Sequence, residues 1–355
     1  MKLALDAMGG DDAPTTTVEG AVLFAREFPE HQVVLVGDLR ALEPLLPKGT
    51  GARGVPSNLS LHPASQVVEM GEHATASLRR KKDSSLRVCF DLVKSGTAQA
   101  AVSAGNSGAV MALGLLTLGR VPGVERPAIA TLFPALKQGR CLLLDAGANV
   151  ECRPSQLAQF AVMGETYVRK LLGVTRPRVA LLANGEEETK GTALTRSAAE
   201  LLKRSDLHYV GYVEGKDIFD GTVDVVVTDG FTGNIVLKTT EGAASALTGL
   251  IRNAIENAGI GEKLGALLLQ GTFAGLKKVT DSAEIGGAPL LGLNGVGIVA
   301  HGRSSAKAVK NALRAAMEQV DAGLFEELSR RIASASAWLP AKETLRQKGV
   351  TSEGL

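Results

Sequence analysis

The run Val223–Asn234, VDVVVTDGFTGN, decides the reading of the fold. An unbroken apolar stretch ends in a polar turn, Thr228–Asn234, that holds two glycines, and a helical pattern follows over Asn234–Asn257. Strands covered on both faces read as continuous apolar runs, so this unit predicts strand, turn and helix in a parallel sheet. The same unit recurs along the chain. SAGNSG (Ser103–Gly108) follows Ala98–Ser103, DAGAN (Asp145–Asn149) follows Leu142–Asp145, NGEEETKG (Asn184–Gly191) follows Val179–Leu182, and AHG (Ala300–Gly302) follows Gly297–Ala300. Further apolar runs lie at Leu3–Ala7, Val33–Gly37, Leu59–His62, Ile129–Phe133 and Tyr209–Val213. Helical patterns separate them at Thr15–Phe28, Leu86–Lys94, Ser107–Leu118, Pro154–Leu172, Thr192–Arg204 and Ser304–Ala322. The alternation predicts a three-layer α/β/α fold around a mostly parallel sheet. The five turns are then expected together at its carboxyl edge, where ligands bind.

Composition narrows the function. Glycine is 41 of 355 residues, about 12% against a usual ~7%, and no collagen-like period explains it. Glycine turns beside helix N-termini suit a phosphate-bearing substrate. A net charge of +2 and 4% aromatic residues speak against a nucleic-acid protein. Three cysteines without metal-type spacing fit a reducing cytoplasm. No apolar run reaches 18 residues, and the N-terminus lacks a signal-peptide pattern. One α/β/α unit is expected over residues 1–334, with a peripheral tail at 335–355 and a protruding helical segment near 255–280.

Several motifs fail on context. Gly295–Ala300 spells GxGxxA but leads into a strand, so it is no dinucleotide fingerprint, and GYVEGKD (Gly211–Asp217) is no P-loop. No HExxH and no other metal-ligand cluster occurs. No GxSxG elbow occurs, and no cysteine lies in a strand-to-helix turn with a suitable base, which favours direct attack of one bound substrate on another. Asp6, Gly9 and Gly10 belong to the first strand-to-helix turn, in which Asp12 is expected to cap a helix that opens at Pro14. Lys190 is either a solvated charge or a phosphate-binding one. Asn234 caps a helix, donates to a substrate carbonyl, or both. His301 follows a strand and is structural or catalytic. The cation run Arg79, Arg80, Lys81 and Lys82 is a solvated face or a docking patch. Ile260, Leu264, Leu267 and Leu268 at helical spacing, with Phe273, Lys277 and Lys278 beyond, form a core or subunit helix, or a tip that meets a membrane surface or acyl chain.

Seven motifs in order resemble the PlsX family of acyl-acyl carrier protein:phosphate acyltransferases. They are DAMGGDDAP (Asp6–Pro14), LRRKKDSS (Leu78–Ser85), SAGNSGA (Ser103–Ala109), DAGANVECRP (Asp145–Pro154), GEEETKG (Gly185–Gly191), TDGFTGN (Thr228–Asn234) and IGGAPLLGLNG (Ile285–Gly295). They run from residue 6 to about residue 310. The resemblance implies transfer of a fatty acyl group from acyl carrier protein to inorganic phosphate, with no cofactor and no metal. It also implies a fold similar to isocitrate and isopropylmalate dehydrogenases and phosphotransacetylase. A homodimer peripheral to the cytoplasmic membrane is implied too, its product passing to a membrane glycerol-3-phosphate acyltransferase. Carried onto this chain, Lys190 and Asn234 are catalytic. Asp6, Gly9, Gly10, Ser103, Gly105, Asn106, Ser107, Asp145, Asn149, Asp229, Thr232, Gly233 and His301 line the phosphate or acyl-phosphate end. The run Arg79–Lys82 then docks the acidic carrier protein. Two positions depart from the family pattern: Ala183 follows the leucine pair where an asparagine is expected, with Asn184 one step later, and Ser107 replaces a threonine. A short-chain phosphotransacetylase, a nicotinamide-dependent decarboxylating dehydrogenase and a membrane-surface scaffold for carrier protein are the competing readings. The dehydrogenase needs a metal-binding aspartate cluster and a nucleotide pocket that the sequence lacks.

Overall fold

Apolar runs became strands and the patterns between them became helices in the computed structural model, which describes residues 1–49, 53–72, 80–137, 139–271 and 286–339. The strands are β1 (Lys2–Asp6), β2 (Gln32–Gly37), β3 (Leu59–Pro63), β4 (Ala100–Ser103), β5 (Ala128–Pro134), β6 (Arg140–Leu144), β7 (Arg178–Leu182), β8 (His208–Val213), β9 (Val225–Val227), β10 (Ala288–Leu291) and β11 (Val296–Val299). The helices are α1 (Thr15–Glu27), α2 (Leu39–Leu42), α3 (Ser85–Lys94), α4 (Ser107–Leu118), α5 (Pro154–Leu171), α6 (Ala193–Leu202), α7 (Asp217–Asp220), α8 (Gly230–Glu256), α9 (Ile260–Leu268), α10 (Ala306–Asp321) and α11 (Leu324–Ala335). Helix α1 opens one residue later than expected. Pro14 takes the cap position without a capping side chain. Asp12 contributes its backbone carbonyl, which accepts from Thr16 N–H at 3.2 Å.

One sheet runs β3-β2-β1-β4-β11-β10-β5-β6-β9-β7-β8. Strands β3, β2, β1, β4 and β11 are mutually parallel, and so are β6, β9, β7 and β8. Between the blocks, β10 and β5 make three antiparallel pairings. Three reversals make the second block run opposite to the first, so the sheet has two carboxyl edges rather than the single one expected. Register keeps the edges close in level. Ser103 is level with Val299 and Ala288, whereas Leu144 is level with Ala130, next to the Leu290–Ile129 pair. The blocks therefore end about one residue apart along the strand direction, with their loops leaving in opposite senses.

Each face of each block has its own core. On the first block, α1 and α10 cover one face with Phe24, Val309 and Leu313, and α3 and α4 cover the other with Phe90 and Leu113. Gly20 lets α1 and α10 touch, since a Cβ there would lie 2.6 Å from Val309 Cβ. On the second block, the buried helix α5 packs Phe160 and Met163 under α6 and α11. Among the described residues, the opposite face is covered by α7 and the start of α8, around Ile218, Val236 and Leu237. Each fully buried leucine or phenylalanine here contributes roughly 1.5–3 kcal/mol. Beyond its start α8 is largely exposed, and α9 carries Ile260, Leu264, Leu267 and Leu268 in the open, Ile260 90% and Leu268 81% exposed.

Candidate active site

The first edge gathers DAMGG, SAGNSG and AHG. Asp6 ends β1 with only 2% exposure, and its carboxylate accepts from Ser103 Oγ at 2.7 Å and Met8 N–H at 3.2 Å. Burial raises the Asp6 pKa, opposed by hydrogen bonds from Ser85, Ser103, Met8 and Gly9. Ser103 Oγ also accepts from Gly105 N–H at 3.0 Å. Gly9 fits because a Cβ would lie 2.6 Å from Asp6 Oδ2 and 2.9 Å from Gly105 N. Gly10 holds φ +126° against Gly302, a conformation that favours glycine. Asn106 caps α4 by accepting from Ala109 N–H, and donates Nδ2 to Met70 O at 2.6 Å. Ser107, exposed, opens α4, where first-turn N–H groups favour an anion. His301 is exposed, and its Nδ1 accepts from Arg303 N–H.

The second edge gathers DAGAN, NGEEETKG and TDGFTGN at the ends of β6, β7 and β9. Asp145 is wholly buried and accepts from Ile129, Gly147, Ala148 and Asn149 N–H and from Asn149 Nδ2, at 2.7–3.2 Å. Burial raises its pKa too, opposed by these donors. The amides of this turn are thus spent on their own carboxylate. Asn149 Nδ2 also donates to Pro127 O at 2.8 Å. The start of α8 rests directly on the turn: Gly230 N–H donates to Asn149 O at 2.7 Å, and a Cβ on Gly233 would collide with Asp145 O. Both glycines of the opening motif are explained by this contact. Asp229 caps α8, accepting from Thr232 N–H at 2.8 Å and Oγ1 at 2.9 Å.

Among the described residues, Asn234 and Lys190 make no side-chain hydrogen bond here. Asn234 is exposed beside Gly147, 3.5 Å from where a Cβ of that glycine would stand. Lys190 is part-exposed. Of the neighbouring glutamates, Glu188 pairs with Lys203 at 2.9 Å and Glu186 with Lys216 at 3.8 Å, while Glu187 stands 4.0 Å from Lys190 Nζ. Sequence reasoning left Asn184 unassigned. Its Oδ1 accepts from Gly191 N–H at 3.0 Å and closes the loop that carries Lys190. No local signal separates that role from an ordinary turn asparagine.

Burial raises the thiols of all three cysteines, Cys141 and Cys152 to about 12, which leaves no ready thiolate. Among the described residues no group of three or more His, Cys, Asp or Glu could hold a metal. In the cation run, Lys81 donates to Val67 O and Glu72 Oε2, both at 2.6 Å, bracing the segment whose Met70 touches Asn106. Arg80 and Lys82 are exposed. Arg79, Phe273, Lys277 and Lys278 lie outside the described residues.

Two parallel blocks of opposite sense, with glycine turns on both edges, define an α/β/α architecture with one mixed sheet. The fold is that of a phosphotransacetylase from Streptococcus pyogenes, with a TM-score of 0.55 and 94% of each chain covered. At 17% identity that likeness is one of fold alone. Residues 1–327 match the family described as fatty acid synthesis protein, and this chain belongs to that family. It is 65% identical over 342 residues to the phosphate acyltransferase of Myxococcus xanthus (strain DK1622), covering 96% of each chain. It is 51% identical over 351 residues to that of Anaeromyxobacter dehalogenans (strain 2CP-1 / ATCC BAA-258), covering 98% of this chain and 96% of the relative.

Proposed function

We propose that this chain moves a fatty acyl group from acyl carrier protein to inorganic phosphate, releasing acyl phosphate for phospholipid synthesis. The observation that carries the mechanism is the second edge: a part-exposed lysine and an exposed amide stand beside a rigid turn, and none of the three cysteines is a ready thiolate. A thioester is already activated, so a phosphate dianion attacks its carbonyl carbon directly. The tetrahedral oxyanion collapses, the C–S bond breaks, and the thiolate leaves to take a proton from water. Lys190 neutralises the developing charge and Asn234 donates to the oxyanion. Asp145, Asn149, Asp229, Thr232 and Gly233 shape the turn that holds Asn234, since their polar groups bond one another. Across the sheet Ser103, Gly105, Asn106 and Ser107 present the N-terminus of α4, with Asp6, Gly9, Gly10 and His301 behind it, as the place for the phosphate end.

The exposed Arg80 and Lys82 suit an acidic carrier protein. The apolar side chains along α8 and α9 suit a second copy of the chain or a membrane surface, in keeping with a peripheral cytoplasmic homodimer that hands product to a membrane glycerol-3-phosphate acyltransferase. No described helix is long and apolar enough to cross a membrane. Residues 1–334 act as one unit in this reading, with 335–355 peripheral.

The test supplies palmitoyl-carrier protein and phosphate and traps acyl phosphate as hydroxamate. Phosphate-dependent hydroxamate is expected, and its absence would sink the reading. A parallel arm with acetyl-CoA addresses the short-chain phosphotransacetylase alternative, and turnover there alone would select it.

A further inference from the structure

An open groove of about 1080 Å³ runs beside the Asp145–Asn149 turn, between the α4–β5 connection and the start of α5. Arg120, Arg126 and Arg153 line it, against two carboxylates, Glu125 and Glu151. Three cations less two anions leave one positive charge. Among the described residues none of the three guanidinium groups is paired with a carboxylate within 4 Å. Arg120 instead donates Nη1 to Glu125 O, so it props the loop. That loop is held open by the buried Gln159, which accepts from Glu125 N–H at 2.8 Å and donates Nε2 to Gly123 O at 3.0 Å. Leu115 adds a half-buried apolar side chain, with Val121 and Val124 behind it in the core. At one end Cys152 Sγ donates to Asn149 O at 3.5 Å, the same carbonyl that accepts from Gly230 N–H at the start of α8. That end of the groove therefore adjoins the contact on which α8 starts, four residues before Asn234.

Unpaired arginine forks select phosphate oxygens by charge and planar geometry. The volume is many times the ~30 Å³ share of a water molecule and far larger than inorganic phosphate alone would fill. We propose that this groove seats the phosphodiester-bearing thioester arm of the carrier, with Arg126 and Arg153 on its phosphate, Leu115 along its methylenes, and the thioester directed towards Asn234. The assignment rests on the acyltransferase reading for its ligand, and on the groove alone for its chemistry.

Steady-state kinetics of the full chain test it, with carrier substrate and phosphate varied separately. Arg126→Ala and Arg153→Ala are each expected to raise KM for acyl-carrier protein by about tenfold or more, as loss of a charge-assisted hydrogen bond does. The KM for phosphate should stay in place, and lysine at either position should restore part of the loss. Arg26→Ala, remote from the groove, is the control. A turnover-free measurement accompanies this: calorimetry with 4′-phosphopantetheine against dephosphorylated pantetheine. The wild type should prefer the phosphorylated arm, and the double variant should lose that preference. A rise in phosphate KM instead would hand the arginines to the nucleophile. A change in sedimentation without a change in KM would make the groove a contact between copies, and unchanged kinetics and unchanged preference in a protein that turns over would also overturn the proposal. A protein that makes no acyl phosphate, yet prefers the phosphorylated arm, would overturn the reaction and keep the groove.

Discussion

Each carboxyl edge buries an aspartate at a strand end, and the two edges use it differently. Asp145 collects four backbone amides and one side-chain amide from its own turn and from β5. Asp6 collects the Ser103 and Ser85 hydroxyls and the Met8 and Gly9 amides, and it links β1 to β4. The second edge is thus welded around its carboxylate by amides, and Lys190 and Asn234 make no side-chain hydrogen bond there among the described residues. The first draws half of its donors from hydroxyls and keeps an exposed serine at the start of a helix. A buried carboxylate that is fully donated to shapes a turn, and a part-exposed neighbour is what remains to meet a ligand.

The comparison breaks most visibly at Asp145. Asp145→Ala orphans five donors and is expected to cost about 4 kcal/mol or more in urea denaturation. Asp6→Ala orphans two amides and two hydroxyls, which can turn to other acceptors, and should cost less; equal losses would erase the distinction. Lys190→Ala should lower kcat by about a hundredfold or more at unchanged Tm, since among the described residues the ion pair it loses is a 4.0 Å one. A large fall in Tm would instead make Lys190 structural. Asn184→Ala, which opens the loop behind Lys190, should cost roughly tenfold in kcat, read in the hydroxamate assay at saturating substrates, and combined with Lys190→Ala should add little.

The smallest effect lies at the amino end of the second block, where no chemistry is proposed. Burial opposes ionisation of Asp224, but the Arg178 guanidinium at 2.8 Å wins and lowers its pKa. A lowered carboxylate adds stability above its unfolded pKa, and that stability is lost as pH falls through the folded value. Asp224→Asn should therefore cost about 1–2 kcal/mol at neutral pH, with the deficit closing as pH falls below about 3.8. Activity at pH 7 should not change; a loss would extend the working site to the far end of the strands.

Much of this was legible locally. Continuous apolar runs at Val179–Leu182 and Val225–Val227 mark strands because helices cover both of their faces. Asn234 and Lys190 stood out as polar residues in glycine turns. β10 did not: four residues with a proline carry no period, and their antiparallel pairing joins β11 nearby to β5, which lies more than 100 residues away in sequence. α11 was missed because its apolar stripe, Leu324, Leu328 and Ile332, sits among charges and finds its main cover on α5.

The sequence by itself determined the strand–turn–helix units and the placing of glycine where two turns touch, because each depends on neighbours within a few residues. Only the tertiary structure decided that the turns divide between two opposed edges, that the DAGAN amides are consumed by Asp145, and that three arginines line one groove. Strand direction, saturation of a buried carboxylate and convergence of charges are set by pairings between distant segments, and no local pattern encodes them.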